Sequence, residues 1–188
     1  MAGASVQWLR DELGLISNAQ ETEAMMQGHK RRDGVYMVPA FTGLGAPYWD
    51  PDARGAIFGL TRATNGSDLV RAVLESVCYQ THDLLAAMGE DGAKPAALRV
   101  DGGMVANDWL VETLSGIIDL PIDRPKIMET TALGAAYLAG LQAGLYENLG
   151  EVSANWQREA AFTPGMEPKD RETQLAGWHA SVKKVLTT

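Results

Sequence analysis

Leu98-Arg99-Val100-Asp101-Gly102-Gly103-Met104-Val105-Ala106-Asn107-Asp108-Trp109 is the stretch whose reading decides the fold. Small apolar residues close on Asp-Gly-Gly and give way at once to helical periodicity, the pattern of a buried strand delivering a glycine turn to the start of a helix. The first turn of a helix leaves several backbone N–H groups without an intrahelical acceptor, at the positive end of the helix dipole. An anion placed there meets donors already aimed at it. Gly102 and Gly103 lack the side chains that would hold a ligand off the backbone. Asn107, in the first helical turn, carries an amide that both donates and accepts, as recognition of a purine or ribose edge requires. Taken alone, the glycine pair is more simply a tight strand-to-helix turn.

Downstream, Trp109, Leu110, Thr113, Leu114, Ile117 and Ile118 give the helix an apolar face, and a short strand starting at Leu120-Pro121-Ile122 ends at Pro125. Thr130 or Thr131 can cap the next helix, whose Ala-Leu-Gly-Ala-Ala face is small enough to wedge against a sheet, and Gly144 stops it. Together, Asp101, Gly102, Gly103, Asn107, Pro125, Glu129 and Thr131 through Ala136 resemble the C-terminal signature of the FGGY carbohydrate kinases. Within that family, Phe41-Thr42-Gly43-Leu44-Gly45-Ala46-Pro47-Tyr48-Trp49-Asp50-Pro51 and Arg54-Gly55-Ala56-Ile57-Phe58-Gly59-Leu60-Thr61-Arg62 are similar to the glycerol-phosphorylating branch, since pentulose and gluconate kinases vary this segment. The resemblance covers nearly the whole chain.

It implies an α/β fold of the actin-like, ribonuclease H-like ATPase class, with helices packed on a short mixed sheet. Residues 1–188 are then one FGGY C-terminal domain in partial form. Met1 corresponds to an internal methionine of the family pattern, so an N-terminal domain, the interdomain cleft and the opening strands of this domain are expected to precede it. The implied activity of the full-length enzyme is ATP-dependent phosphorylation of glycerol to sn-glycerol 3-phosphate in the cytoplasm. ATP or ADP is the implied cofactor, with Mg²⁺ held mainly by the nucleotide and by the part outside this chain. The resemblance assigns nucleotide contacts to Gly3, Gln7, Gly103 and Asn107; read locally, Gly3 starts a helix and Gln7 is a solvated side chain. The catalytic aspartate and the glycerol contacts of the family lie upstream, so this chain carries no catalytic residue and is expected to turn nothing over alone. Another FGGY sugar kinase acting on a pentulose or gluconate, or an inactive nucleotide-binding fragment, are the alternative readings. A Rossmann dinucleotide binder is disfavoured, because the glycines after Asp101 do not complete G-x-G-x-x-G.

The composition agrees with a folded enzyme domain. The 188 residues suffice for one core, and 46% hydrophobic with 21% charged residues fits a globular chain. A net charge of −8 argues against nucleic acid or an anionic membrane as partner. Cys78 is the only cysteine, which excludes an intrachain disulfide and suits a reducing compartment. His29, His82 and His179 stand far apart without Cys or acidic partners at ligand spacing in sequence, so no metal site is expected.

The rest of the chain reads as framework. Val6, Leu9, Leu13 and Ile16 form an apolar helical stripe at the start. Ala19 to Arg32 reads as a short helix and loop without a site, its run His29-Lys30-Arg31-Arg32 a solvated loop rather than a nucleic-acid patch. Val35 to Pro39 and Ala56 to Leu60 read as strands around a loop held by Phe41, Tyr48 and Trp49, in which Asp50, Asp52 and Arg54 cap turns. Asn65-Gly66-Ser67-Asp68 opens the longest helix, with Arg71 and Glu75 as an i,i+4 pair. Its buried face is expected at Val70, Val73, Leu74, Val77, Thr81, Leu84, Leu85 and Met88, with Cys78 packed rather than reactive. After a break at Gly89 to Pro95 comes the strand Ala97 to Val100. Val152 to Phe162 reads as a connector, and a last helix runs from about Glu167 to Leu186. Without the opening strands, the first helix and the Val100 strand would expose apolar faces, and roughly a few hundred Å² of such surface drives association. A homo-oligomer is therefore expected.

Overall fold

A computed structural model describes residues 2–32 and 34–187; Met1, read above as an internal methionine, lies outside the described residues. The centre of the molecule is helix α3, Gly66–Glu90. It starts where Asn65 and Asp68 satisfy each other's backbone amides, the Asn65 carbonyl accepting from Asp68 N at 3.2 Å and the Asp68 carboxylate from Asn65 N at 2.9 Å. This reciprocal arrangement is a capping box. Around α3 lie α1 (Ala2–Asp11), α2 (Glu21–Met26), α4 (Asp108–Ile118) and α7 (Pro168–Val185).

Two small sheets complete the framework. Strands β1 (Tyr36–Val38) and β2 (Ala56–Phe58) pair antiparallel, with Met37 opposite Ile57. The second sheet has the order β3-β4-β5, from Leu98–Arg99, Ile122–Pro125 and Arg158–Phe162. Its β3 and β4 are parallel, as a strand-helix-strand crossover through α4 requires, and β4 and β5 are antiparallel. Helices α5 (Thr130–Gln142) and α6 (Leu149–Ala154) sit between β4 and β5 in sequence.

The core forms where Val70, Val73, Leu74, Cys78 and Tyr79 of α3 meet Val6 and Leu9 of α1, Leu110, Val111 and Ile117 of α4, and Trp178 and Val182 of α7. Tyr79 stacks on Trp178 with ring centroids 5.4 Å apart. Gly177 lets α7 come this close, because a Cβ there would run into the Tyr36 hydroxyl. Glu75, inside this core, accepts from Arg71 at 2.7 Å and Arg31 at 3.3 Å and from the Tyr79 hydroxyl at 3.1 Å. Burial, the largest single influence, would pull Arg31 down, but the attraction of Glu75 together with Tyr79 and Tyr36 outweighs it and the guanidinium is held above its ordinary value. Cys78 is fully buried, and desolvation pushes its thiol up, as expected of a packed rather than reactive cysteine.

Several expectations change. The basic run is not a solvated loop: besides Arg31 on Glu75, Arg32 reaches the buried Asp68 carboxylate at 2.9 Å and His29 Nε2 lies 3.2 Å from it. Leu84 and Met88 are exposed, because α3 extends beyond its neighbours and its buried face ends near Asp83. Helix α1 ends at Asp11, which leaves Leu13 exposed while Ile16 folds back into the core. Its own apolar residues are covered by α3 rather than bare. Trp49, expected to hold its loop, is 76% exposed; Phe41 packs on Trp8 and the Tyr48 hydroxyl binds Asp83 instead. Asp50 caps its turn as expected, accepting from Asp52 N and Ala53 N. The supposed connector contains the end of α6 and all of β5, since β4 offers a free edge on which Ile122 pairs with Phe162.

The strand leading to Asp-Gly-Gly is an exposed edge rather than a buried strand, with Leu98 and Val100 half-buried and Arg99 exposed. Neither Thr130 nor Thr131 caps α5; Glu129 occupies that position without a side-chain bond and both threonines lie inside the helix. At the far end Gly144, with φ +75°, closes α5 through Leu145 N to Gly140 O and Gly144 N to Leu141 O. The small face of α5 is not wedged against the sheet: of its residues only Gly140 is buried, and Leu138 is 65% exposed. No helix among the described residues is long and apolar enough to cross a membrane.

Candidate functional site

The glycine turn is where the chain changes direction between β3 and α4. Gly102 adopts φ +89°, a conformation a side chain would strain, and its amide donates to Met128 O at 2.9 Å. A 3-10 turn over Gly103–Ala106 follows, and Asn107 then caps α4. Open space lies outside both glycines, since a Cβ on either would meet no atom within 4 Å.

The cap engages most of Asn107. Its side-chain carbonyl accepts from Leu110 N at 2.9 Å and its amide donates to Thr22 Oγ1 at 3.0 Å, while the Thr22 hydroxyl donates to Ala19 O at 2.6 Å. This chain fixes which way the amide points and leaves its second N–H for a ligand. The Asp108 amide donates to Glu23 Oε1 at 3.3 Å. The Asp108, Leu110 and Val111 amides of this first turn are therefore engaged by the protein's own groups, which moves the open donors away from the helix end where the sequence placed an anion seat. Among the described residues, the amides of Gly103 and Met104, one turn earlier, meet no acceptor.

Beside them lies a cavity of about 80 Å³. Val6 of α1, Leu74 of α3, Met104, Ala106 and Leu110 form its apolar walls, and Gln20, Thr22, Glu23, Gly103 and Asn107 its polar rim. A cavity of this size is too small for a whole nucleotide, and its polar rim lies against an apolar wall. Gly103 and Asn107 are brought together here as the sequence suggested. Gly3 and Gln7 are exposed, one turn apart on α1, and do not line the slot.

Sequence reasoning missed two supports. Helix α2, read as free of any site, supplies the wall that holds Asn107 and Asp108. Arg124 of β4, nearly buried, donates to Val105 O, Asp108 Oδ1 and Glu159 Oε2, each at 2.7 Å. Its hydrogen bond to Glu159, then that to Asp108, hold the guanidinium above its ordinary value against desolvation. It thereby ties the 3-10 turn to the sheet. Only the non-local pairing of β4 with β5 brings Arg124 and Glu159 together, so no local signal marked either.

A larger cavity of about 430 Å³ opens under α5 between Arg99, Leu133, Tyr137 and Trp156. It contains none of the predicted contacts, and the Arg99 guanidinium already lies over the Trp156 ring at 4.0 Å. The smaller slot, with oriented donors, is the better candidate.

Residues 1–143 match the C-terminal domain of the FGGY family of carbohydrate kinases. The chain belongs to this family. The FGGY chain is 60% identical over 184 residues to a glycerol kinase of Rhodospirillum centenum and 57% identical over 186 residues to one of Ectopseudomonas mendocina. Each alignment covers 98% of it but only 37% and 38% of those relatives, so it spans little more than a third of their length. The crystal structure of Plasmodium falciparum glycerol kinase with ADP superposes with a TM-score of 0.87 at 36% identity, over 100% of this chain and 37% of that one. A ligand-bound xylulose kinase from Lactobacillus acidophilus follows at 0.78 and 26%, over 97% of this chain and 37% of that one. The fold is thus the actin-like, α/β C-terminal domain fold of these kinases.

The histidines correct the sequence reading, which found no acidic partners near them. His82 and His179 both face Asp83 and form, with it, a group of three possible metal ligands. Asp83 is nine residues beyond Leu74 on α3, about 13 Å along the helix, so this group is no part of the slot.

Proposed function

We propose that this FGGY domain supplies the nucleotide side of an ATP-dependent glycerol kinase, transferring the terminal phosphoryl group of ATP to glycerol to give sn-glycerol 3-phosphate. The observation carrying the reading is the apolar slot between α1, α2 and the 3-10 turn, rimmed by Gly103 and Asn107. Adenine fills the slot, the remaining N–H of Asn107 meets its edge, and the Gly103 and Met104 amides face the ribose side. Gly3 and Gln7 of α1 make their nucleotide contacts outside the slot. The choice of glycerol over other acceptors is supported by the identity to glycerol kinases.

Phosphoryl transfer depends on placement of nucleotide, metal and acceptor and on a base for the hydroxyl proton. The one carboxylate at the slot, Glu23, is engaged by the Asp108 amide. Acceptor binding and proton removal therefore belong to the remainder of the enzyme, and this chain turns over no glycerol alone. Mg²⁺, when bound, neutralises phosphate charge and is held through the nucleotide. Residues 144–188 belong to the same unit as the matched part, an assignment supported by Trp178 of α7 packing on Tyr79. A cytoplasmic enzyme acting on small molecules, without nucleic-acid or membrane partners, fits the acidic charge. Self-association is supported by the bare apolar residues Leu138, Leu145 and Leu149.

Two measurements test this. Calorimetric titration of the chain with ADP should give one site per chain, and absence of heat up to about millimolar ADP would overturn the binding role. The full-length enzyme containing these residues should consume ATP with glycerol and not with xylulose or gluconate; the reverse preference would overturn the substrate assignment.

A further inference from the structure

Asp83 lies where α3, α7 and the loop of residues 39–55 converge, and its two oxygens face different partners. Oδ2 accepts from the Tyr48 hydroxyl and from Trp178 Nε1, both at 2.6 Å. Oδ1 faces His179 Nε2 at 2.8 Å and His82 Nδ1 at 3.4 Å. The nucleotide slot uses none of these groups. We propose that His82 Nδ1, Asp83 Oδ1 and His179 Nε2 form a zinc-binding site on the outer face of the domain.

The three ligand atoms lie within 4.8 Å of one another. With zinc bonds of about 2.0–2.2 Å in tetrahedral geometry, neighbouring ligand atoms stand about 3.3 Å apart. The Asp83–His82 spacing already matches, and the His179 ring, half exposed near the end of α7, turns to open its own. Two imidazole nitrogens and one carboxylate oxygen select a borderline cation over Mg²⁺ or Ca²⁺, which take oxygen ligands. Tyr48 and Trp178 are the outer partners such a site needs: by holding Oδ2 they aim Oδ1 at the ion and fix the carboxylate plane. The exposed side of the histidines leaves the fourth position to water.

Without metal, a ring N–H hydrogen-bonds to Oδ1. When zinc binds, that proton moves to the other nitrogen of the neutral ring, and the nitrogen facing the ion gives zinc its lone pair in place of the hydrogen bond. No proton is lost overall and no oxidation state changes. Bound zinc joins α3 to α7 and draws the C-terminal helix against the core.

The test uses tag-free, EDTA-stripped protein titrated with zinc chloride alone. One zinc per chain is expected. His82→Gln and His179→Gln should each weaken binding at least tenfold while melting with EDTA at the wild-type temperature. Glutamine still donates to Asp83, so a cluster that only hydrogen-bonds tolerates the change. Cobalt(II) should give the d–d absorption of a four- or five-coordinate site in the wild type and lose it in both variants. Absence of zinc binding, or binding retained by both variants, overturns the proposal, whatever the outcome with ADP.

Discussion

Asn107 donates from its side-chain amide to the hydroxyl of Thr22 at 3.0 Å, joining two elements 85 residues apart in sequence. The bond makes the Asn107 orientation a tertiary property, because the same amide caps α4 through Leu110 N. Three variants separate the roles. Asn107→Ala loses cap and contact, so stability should fall by about 1 kcal/mol and ADP affinity at least tenfold. Asn107→Asp keeps a capping oxygen but removes the donor to Thr22, so stability should fall less than in Asn107→Ala while ADP affinity falls as far. Thr22→Val leaves the cap and frees the amide to turn, with an expected loss of roughly fivefold in affinity and about 1 kcal/mol in stability. Calorimetry with ADP and chemical denaturation of each variant decide the matter; wild-type affinity in Asn107→Asp would remove the amide from the contact.

Arg124 acts on the slot without lining it. Its bonds to Val105 O and Asp108 Oδ1 hold the segment directly after the Gly103 and Met104 amides. Both carboxylate partners are about half exposed and regain water when the guanidinium goes, so the cost stays below that of breaking a fully buried pair. Arg124→Met should lose about 2 kcal/mol of stability and several-fold in ADP affinity. Lysine should rescue little, since one ammonium cannot span the carbonyl and two carboxylates as the planar fork does. Denaturation midpoints and ADP titration of both variants check this, and unchanged ADP binding in Arg124→Met would make the residue purely structural.

What the sequence made legible was local. The Asn65–Asp68 cap, the glycine stop of α5 and the Gly102 turn follow from residues a few positions apart, and each is found where it was expected. β5 was missed because Arg-Glu-Ala-Ala-Phe carries no strand pattern; its pairing follows from the free edge of β4. The exposed Leu84 and Met88 continue an apolar stripe past the point where neighbouring elements end, which periodicity cannot sense. Within the candidate site, Gly103 and Asn107 could be named from their motif. Thr22, Glu23 and Arg124 could not, nor could the meeting of His82 with His179, since each depends on the packing of distant segments.

The C-terminal end carries an acid-sensitive tie. Asp50 accepts from Thr187 N at 2.7 Å and from its hydroxyl at 2.9 Å, in addition to the amides of its own turn. The Thr187 amide is the largest influence and, with the Thr187 hydroxyl and the turn amides, outweighs desolvation, holding the carboxyl below its ordinary value. An unfolded aspartate titrates near about 3.9. Because the folded value lies lower, the tie is fully present above that pH and is lost as pH falls through the folded value; it gains nothing at alkaline pH. Exchange of the Thr187 amide, followed by NMR and corrected for intrinsic rates, should be protected at neutral pH and lose protection on acidification below about pH 4. Asp50→Asn keeps a neutral acceptor, so it should show weaker protection at neutral pH and a flatter acid profile. If the variant retained the full wild-type acid dependence, the loss would arise from another carboxylate, and the Asp50–Thr187 contact would have no part in anchoring α7.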